Sequence, residues 1–255
     1  MPVPAATTAN SPPPYAWAAE FHAFTLQHAV VFALCFGLIL GSVILGRRWR
    51  GTARERTLRH GWIWTTIAWQ SAAVVYYLLP ANFEPYESWP LHLCDLAAWV
   101  APFALLTQRP WLRALLYFWG IGLSTQAFFT PVVEGGYADI RFWLFFVGHT
   151  QIVGSAIYDA AVLGYRPTLR DWRTMTLITI AWLAVVTPIN IIFSVNYGYT
   201  GNRLPNGPTI MDYLGPWPWR IGTLFLAGQV VCAIAYLPWV VARRRRGGAF
   251  RAPGL

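Results

Sequence analysis

Seven long apolar runs alternate with short polar stretches along this chain, at about 28–45, 61–79, 91–107, 111–130, 142–163, 172–195 and 220–242. Each comes close to the roughly 20 apolar residues that a helix needs to cross a bilayer. The pattern predicts an all-α fold, a polytopic membrane bundle of seven transmembrane helices. Residues 1–27 read as a disordered leader with a short interfacial segment around Trp17 to Phe24, 28–242 as the transmembrane domain, and 243–255 as a basic cytoplasmic tail. Between the third and fourth runs, "TQRPW" leaves room only for a tight proline turn. The sixth loop, "NYGYTGNRLPNGPTIMDYLGPWPWR", is the longest and reads as a shaped, non-helical cap. No internal repeat appears, so the inverted-repeat signature of many transporters is missing.

The polar stretches differ in charge, and the difference orients the bundle. "RRWRGTARERTLRH", the turn with Arg109 and Arg113, "GYRPTLRDWR" and the tail opening with "RRRR" are basic. The leader has no arginine, "PANFEPYESWP" carries only Glu84 and Glu87, and "PVVEGGYADIR" is near neutral. By the positive-inside rule the N-terminus lies outside and the C-terminus in the cytoplasm, which an odd number of spans permits. The expected location is the plasma membrane, as a multi-pass protein.

Composition narrows the reading further. Of 255 residues 56% are hydrophobic and 11% charged, against about 25% charged for a soluble domain. Too little polar surface remains to cover a globule in water. The net charge of +9 comes from arginine alone, with no lysine in the chain. A basic balance can signal nucleic acid, but these arginines sit in short loops between apolar runs, where topology accounts for them. Cys35, Cys94 and Cys232 are odd in number, widely spaced and within apolar segments, so they form no disulfide framework.

Ionisable groups within spans are costly and face bundle interiors or water-filled cavities. His92, Cys94 and Asp95 open the third run, and His149 lies about 10 Å below the outer boundary of the fifth at 1.5 Å per residue. Tyr76 and Tyr77, Thr125 and Gln126, and Asn190 close the second, fourth and sixth runs, and Asn196 and Tyr197 begin the long loop. Placed by depth, these gather on the outer side and predict a cavity there. Asp159 falls deeper, toward the cytoplasm. Cys94 and His149 lie at comparable depth, and cysteine with histidine is a recurrent pairing of nucleophile and general base. An amide at the start of the third helix, or Asn190, would serve as oxyanion donor. Asp95 would orient an imidazole or oppose a thiolate beside it, and His92 is a competing base. Against this stands the plain alternative that polar groups near span ends meet water and a lone span cysteine packs. A zinc site from His92, Cys94, Asp95 and His149 is disfavoured because neighbouring residues do not share a helix face. No metal or cofactor is expected.

Three motifs in order, "WPLHLCDLA", "FFVGHTQIV" and "NYGY…DYLGPWPW", resemble the YwaF-type bacterial integral membrane proteins, a family related to the animal transmembrane protein 164 acyltransferases. The resemblance runs from about residue 25 to 242. It implies a multi-helix membrane fold, distantly similar to the androgen-induced-gene-1 type of membrane hydrolases, and phospholipid acyl transfer with Cys94 as the membrane cysteine and His149 as the histidine. "NYGYTGNRLPNGPT" departs from the family's usual loop, which bears on specificity. Two functions therefore stand at this point. One is a lipid acyltransferase or acyl hydrolase acting on a phospholipid or lysophospholipid; the other is a non-catalytic protein that binds or transports a lipid or small solute.

Overall fold

The structure, a computed structural model, describes residues 20–86, 88–133, 135–202 and 210–248. Each of the seven apolar runs is helical. The helices are α1 (Leu26–Arg48), α2 (Ala53–Leu78), α3 (Leu93–Thr107), α4 (Pro110–Leu115), α5 (Ile140–Ala161), α6 (Leu169–Phe193) and α7 (Trp219–Gly248). Among the described residues there is no strand, only an isolated bridge between Glu20 and Gly135. Of these helices α1, α6 and the stretch Trp219–Arg244 of α7 are long and apolar enough to cross a membrane. Their exposed Leu34 and Leu38, Leu177 and Val185, and Leu226 and Val230 present apolar side chains outward, as a face in contact with lipid would.

Several boundaries differ from the sequence reading, each for a local reason. Trp17, at the head of the expected interfacial segment, and Glu87 lie outside the described residues. Residues 20–24 are bridge and turn, with no helix. Phe24 takes a left-handed conformation (φ 64°), and its N–H donates to His28 Nδ1 at 2.9 Å. α1 then starts behind Thr25. α2 begins at Ala53, well before the expected 61, because the basic segment is itself helical. Glu55 turns inward there, accepting from the Tyr158 hydroxyl at 2.9 Å and pairing with Arg59 one turn on at 3.2 Å. Gln108, left-handed at φ 51°, ends α3, and Pro110 stands in the first turn of α4, where its missing N–H costs nothing. α7 runs on through the arginine run to Gly248.

α4 does not remain an α-helix. It widens into a π-helix over Leu116–Ser124 and tightens into a 3-10 turn over Thr125–Phe128. This segment is deeply enclosed, with Leu116 and Phe118 fully buried. Its glycines permit close approach: a Cβ on Gly120 would stand 2.8 Å from the Ala156 Cβ of α5.

The contacts sort the helix ends into two groups. At one end Arg47 reaches Ala161 O at 3.2 Å, Arg59 reaches Leu105 O at 3.4 Å, Arg113 grips Asp159 at 2.9 and 2.8 Å, and Arg243 reaches Pro167 O at 2.9 Å. At the other, His28 bonds Phe128 O at 2.8 Å, Tyr137 donates to Gln27 O at 2.6 Å, and Trp182 donates to Leu91 O at 3.1 Å. Successive helices therefore run up and down. α5 packs against α1, α2, α3 and the π segment and is the central helix. The arginine-rich turns share one end, and the residues of interest share the other.

Candidate functional site

The cap over the second end is built from the close of α6. Asn190, 2% exposed, accepts the Tyr197 N–H at 2.9 Å and donates to Tyr197 O and to Thr200 Oγ1, both at 2.7 Å. One amide thus folds residues 195–202 back over the helix that carries it. Asn196 Oδ1 takes the Gly201 N–H at 2.9 Å. Tyr197 is fully buried, and its hydroxyl donates to Pro85 O at 2.8 Å and accepts from Trp89 N–H at 3.1 Å. Gly198 adopts φ 63° with the Trp182 ring against it. Only glycine fits there, since a side chain would meet both the left-handed backbone penalty and the indole.

That glycine reaches the start of α3. The Gly198 N–H donates to His92 Nδ1 at 3.2 Å, and the His92 ring lies 5.2 Å from the Tyr197 ring and 6.0 Å from that of Tyr199. A nitrogen accepting a backbone N–H carries no proton, so neutral His92 holds its hydrogen on Nε2. Asp95 returns to the N-terminus of its own helix, accepting the His92 N–H at 3.0 Å. This is the reciprocal half of a capping box. Cys94, between them, is a free, half-buried thiol packed with the cluster of Ala97, Ala98, Leu115, Phe118 and Trp119.

His149 is buried on α5. Its Nδ1 lies 2.8 Å from Phe145 O, and since a carbonyl only accepts, Nδ1 carries the proton and Nε2 keeps its lone pair. The Phe145 ring lies tilted against it at 4.3 Å and Phe128 stands edge-on at 6.4 Å. A Cβ on the neighbouring Gly148 would meet nothing within 4 Å, so one flank of this turn is open. α3 and α5 pack directly, but among the described residues no hydrogen bond joins Cys94 to His149.

The remaining expected residues fall as follows. Tyr77 is half-buried on the last turn of α2, within electrostatic reach of Arg141. Gln126 is exposed on the 3-10 turn. Both N–H groups of the Asn190 amide bond the loop, which occupies the donors an oxyanion would need. Asp159 lies at the arginine-rich end in its pair with Arg113. Among the described residues no cluster of three or more His, Cys, Asp or Glu side chains could hold a metal ion. Sequence reasoning passed over the bond from Gly198 to His92 and the guanidinium of Arg220, which enters the same loop. The "GPWPWR" segment was legible only as an interfacial anchor.

An all-α bundle with helices fit to cross a bilayer defines a helical membrane protein. Residues 23–236 match the model of the TMEM164 family, and the chain belongs to that family. No curated protein and no solved structure matches it.

Proposed function

We propose that this chain is an integral-membrane acyl-transfer enzyme acting on phospholipid, within the YwaF-type bacterial branch, with seven spans and its capped end extracytoplasmic. The positive-inside rule supports that orientation, since the arginine-rich turns meet at the other end. The observation that carries the reading is the tautomer of His149. With Nδ1–H bound to Phe145 O, Nε2 is a fixed basic nitrogen on the helix packed against α3.

In the proposed reaction Nε2 takes the Cys94 thiol proton, and the thiolate attacks the acyl carbonyl of a phospholipid. The ester C–O bond breaks and a thioester forms. The departing lysophospholipid alkoxide takes the proton from imidazolium. An acceptor hydroxyl, or water for hydrolysis, then gives its proton to Nε2 and attacks the thioester, and the sulfur leaves as thiol after reprotonation. His92, Tyr77, Asn196 and Tyr197 line or shape the site, Asp95 secures its helix start, Gln126 faces its rim, and Asn190 positions the cap.

A second reading, a non-catalytic lipid- or solute-binding protein, draws on the lack of a hydrogen bond between Cys94 and His149. Labelling in native membranes with an acyl-chain acrylamide decides between them. The enzyme predicts labelling lost in Cys94→Ala, reduced at least about tenfold in His149→Ala as expected for loss of a general base, and kept in Cys35→Ala and Cys232→Ala. Labelling of Cys94 that ignores His149 favours the binding protein.

A further inference from the structure

The first turn of α7 carries a charge that no described residue neutralises. Arg220 is 4% exposed. Its Nη2 donates to two carbonyls of the cap loop, Gly201 O at 2.6 Å and Asn202 O at 3.3 Å. Its Nε is buried without a hydrogen-bond partner. The ion pairs among the described residues, His22 with Glu20, Arg59 with Glu55, Arg113 with Asp159 and Arg141 with Asp139, do not include it. Position adds to the imbalance. The first turn of α7 holds no acidic residue, and a helix N-terminus is itself partially positive, so like sign is added to like. A buried cation supported, among the described residues, only by carbonyl dipoles is strongly disfavoured unless an anion completes it.

We infer that Arg220 is the anion anchor of the cap and takes the phosphodiester of a membrane phospholipid. This inference rests on the lipid-directed reading given above. Three features favour a lipid phosphate over a soluble anion. Arg220 stands in the first turn of a helix apolar enough to cross a membrane, and the ends of such a helix meet the headgroup region. Its neighbour Trp219 is 77% exposed, as an interfacial tryptophan would be. The loop that Arg220 grips through Gly201 and Asn202 also reaches His92 through Gly198, two residues before Cys94, so the anchor and the thiol's helix start share one scaffold. A guanidinium suits the task because its charge-assisted N–H bonds are directional and it never deprotonates.

The test uses the full chain in neutral detergent, as wild type and as Cys94→Ala, so that no thiol chemistry enters the readout. Thermal melts are recorded against phosphatidylglycerol, diacylglycerol of the same chains, and inorganic phosphate. Phosphatidylglycerol is expected to raise the melting temperature of both proteins while diacylglycerol leaves it unchanged. Arg220→Gln should raise the half-effective lipid concentration at least about tenfold, the loss of one charge-assisted bond, and Arg220→Lys by less. An unchanged response in Arg220→Gln, or a diacylglycerol effect equal to that of phosphatidylglycerol, overturns the inference. An equal shift from inorganic phosphate assigns the site to a soluble anion and overturns the lipid reading. Should Arg220→Gln fail to fold, Arg220→Lys decides, and an unchanged half-effective concentration overturns the anchor. Since Cys94→Ala binds in this scheme, loss of the anchor and loss of acyl transfer are separate results.

Discussion

His92 and His149 carry the same ring in opposite tautomers, and the difference comes from one backbone atom each. A carbonyl at Nδ1 leaves His149 with a basic Nε2, and an N–H at Nδ1 leaves His92 with a donor there. In the reaction proposed above, only the first suits a general base in the neutral state. Asp139 shows the same dependence on a neighbour. It caps α5, accepting the Arg141 N–H at 2.8 Å, and the Arg141 guanidinium hydrogen-bonded to it holds its carboxyl below the ordinary 3.8. A carboxyl depressed on folding stabilises the folded state above its unfolded value, and that stability is lost as pH falls through the folded value. Wild-type melting temperature in detergent should therefore decline below about pH 4. Asp139→Asn should start lower at neutral pH and lose part of that acid limb, and parallel curves for the two proteins would count against the pair.

Among the elements, α4 is the one whose form was hidden. Apolar runs locate helices because lipid forces backbone bonds inside the segment, and the runs around α1, α5, α6 and α7 mark them within a few residues. A π-helix changes only the hydrogen-bond partner from i−4 to i−5, and "LYFWGIGLS" is apolar in either register, so nothing in its pattern reports the change. The tertiary use of its glycines was equally silent. Gly120→Ala should destabilise the bundle by about 1–3 kcal/mol through overpacking, because the new methyl meets the Ala156 Cβ. Adding Ala156→Gly should recover much of the loss, and a double-mutant cycle in denaturant measures the coupling. Additive losses would mean that the contact is not what limits packing. The gathering of His92, Asn190 and Tyr197 was legible by depth. Which atoms each would bond was not, because helix rotation and loop path decide that and neither leaves a sequence period.

At the scale of the molecule, the two ends are held by different chemistry. The arginine-rich end is closed by side chains reaching carbonyls and by the buried pair of Arg113 and Asp159, whose carboxylate is 2% exposed. Asp159→Asn should cost about 3–5 kcal/mol, since it leaves a guanidinium without its counter-ion in a poorly solvated place. Arg113→Met with Asp159→Leu should be milder than either single loss. Chemical denaturation in detergent reads both, and a small effect of Asp159→Asn would show that water reaches the pair. Asp159 could be set apart from the capped site by counting residues inward from the start of its span, though the partner that holds it could not be named.

The capped end instead carries a loop reaching back across the chain, with Gly198 and His92 separated by 106 positions and Tyr197 and Pro85 by 112. A ribosome delivers the N-terminal part first. A nascent chain halted after α5 already contains Cys94 and His149, yet lacks the loop whose Gly198 reaches His92 and the arginine that grips that loop. Such a chain has the start of α3 without its cap. The capped end is therefore assembled only with the last third of synthesis, and the start of α3 stays uncovered until α6 and α7 are in place.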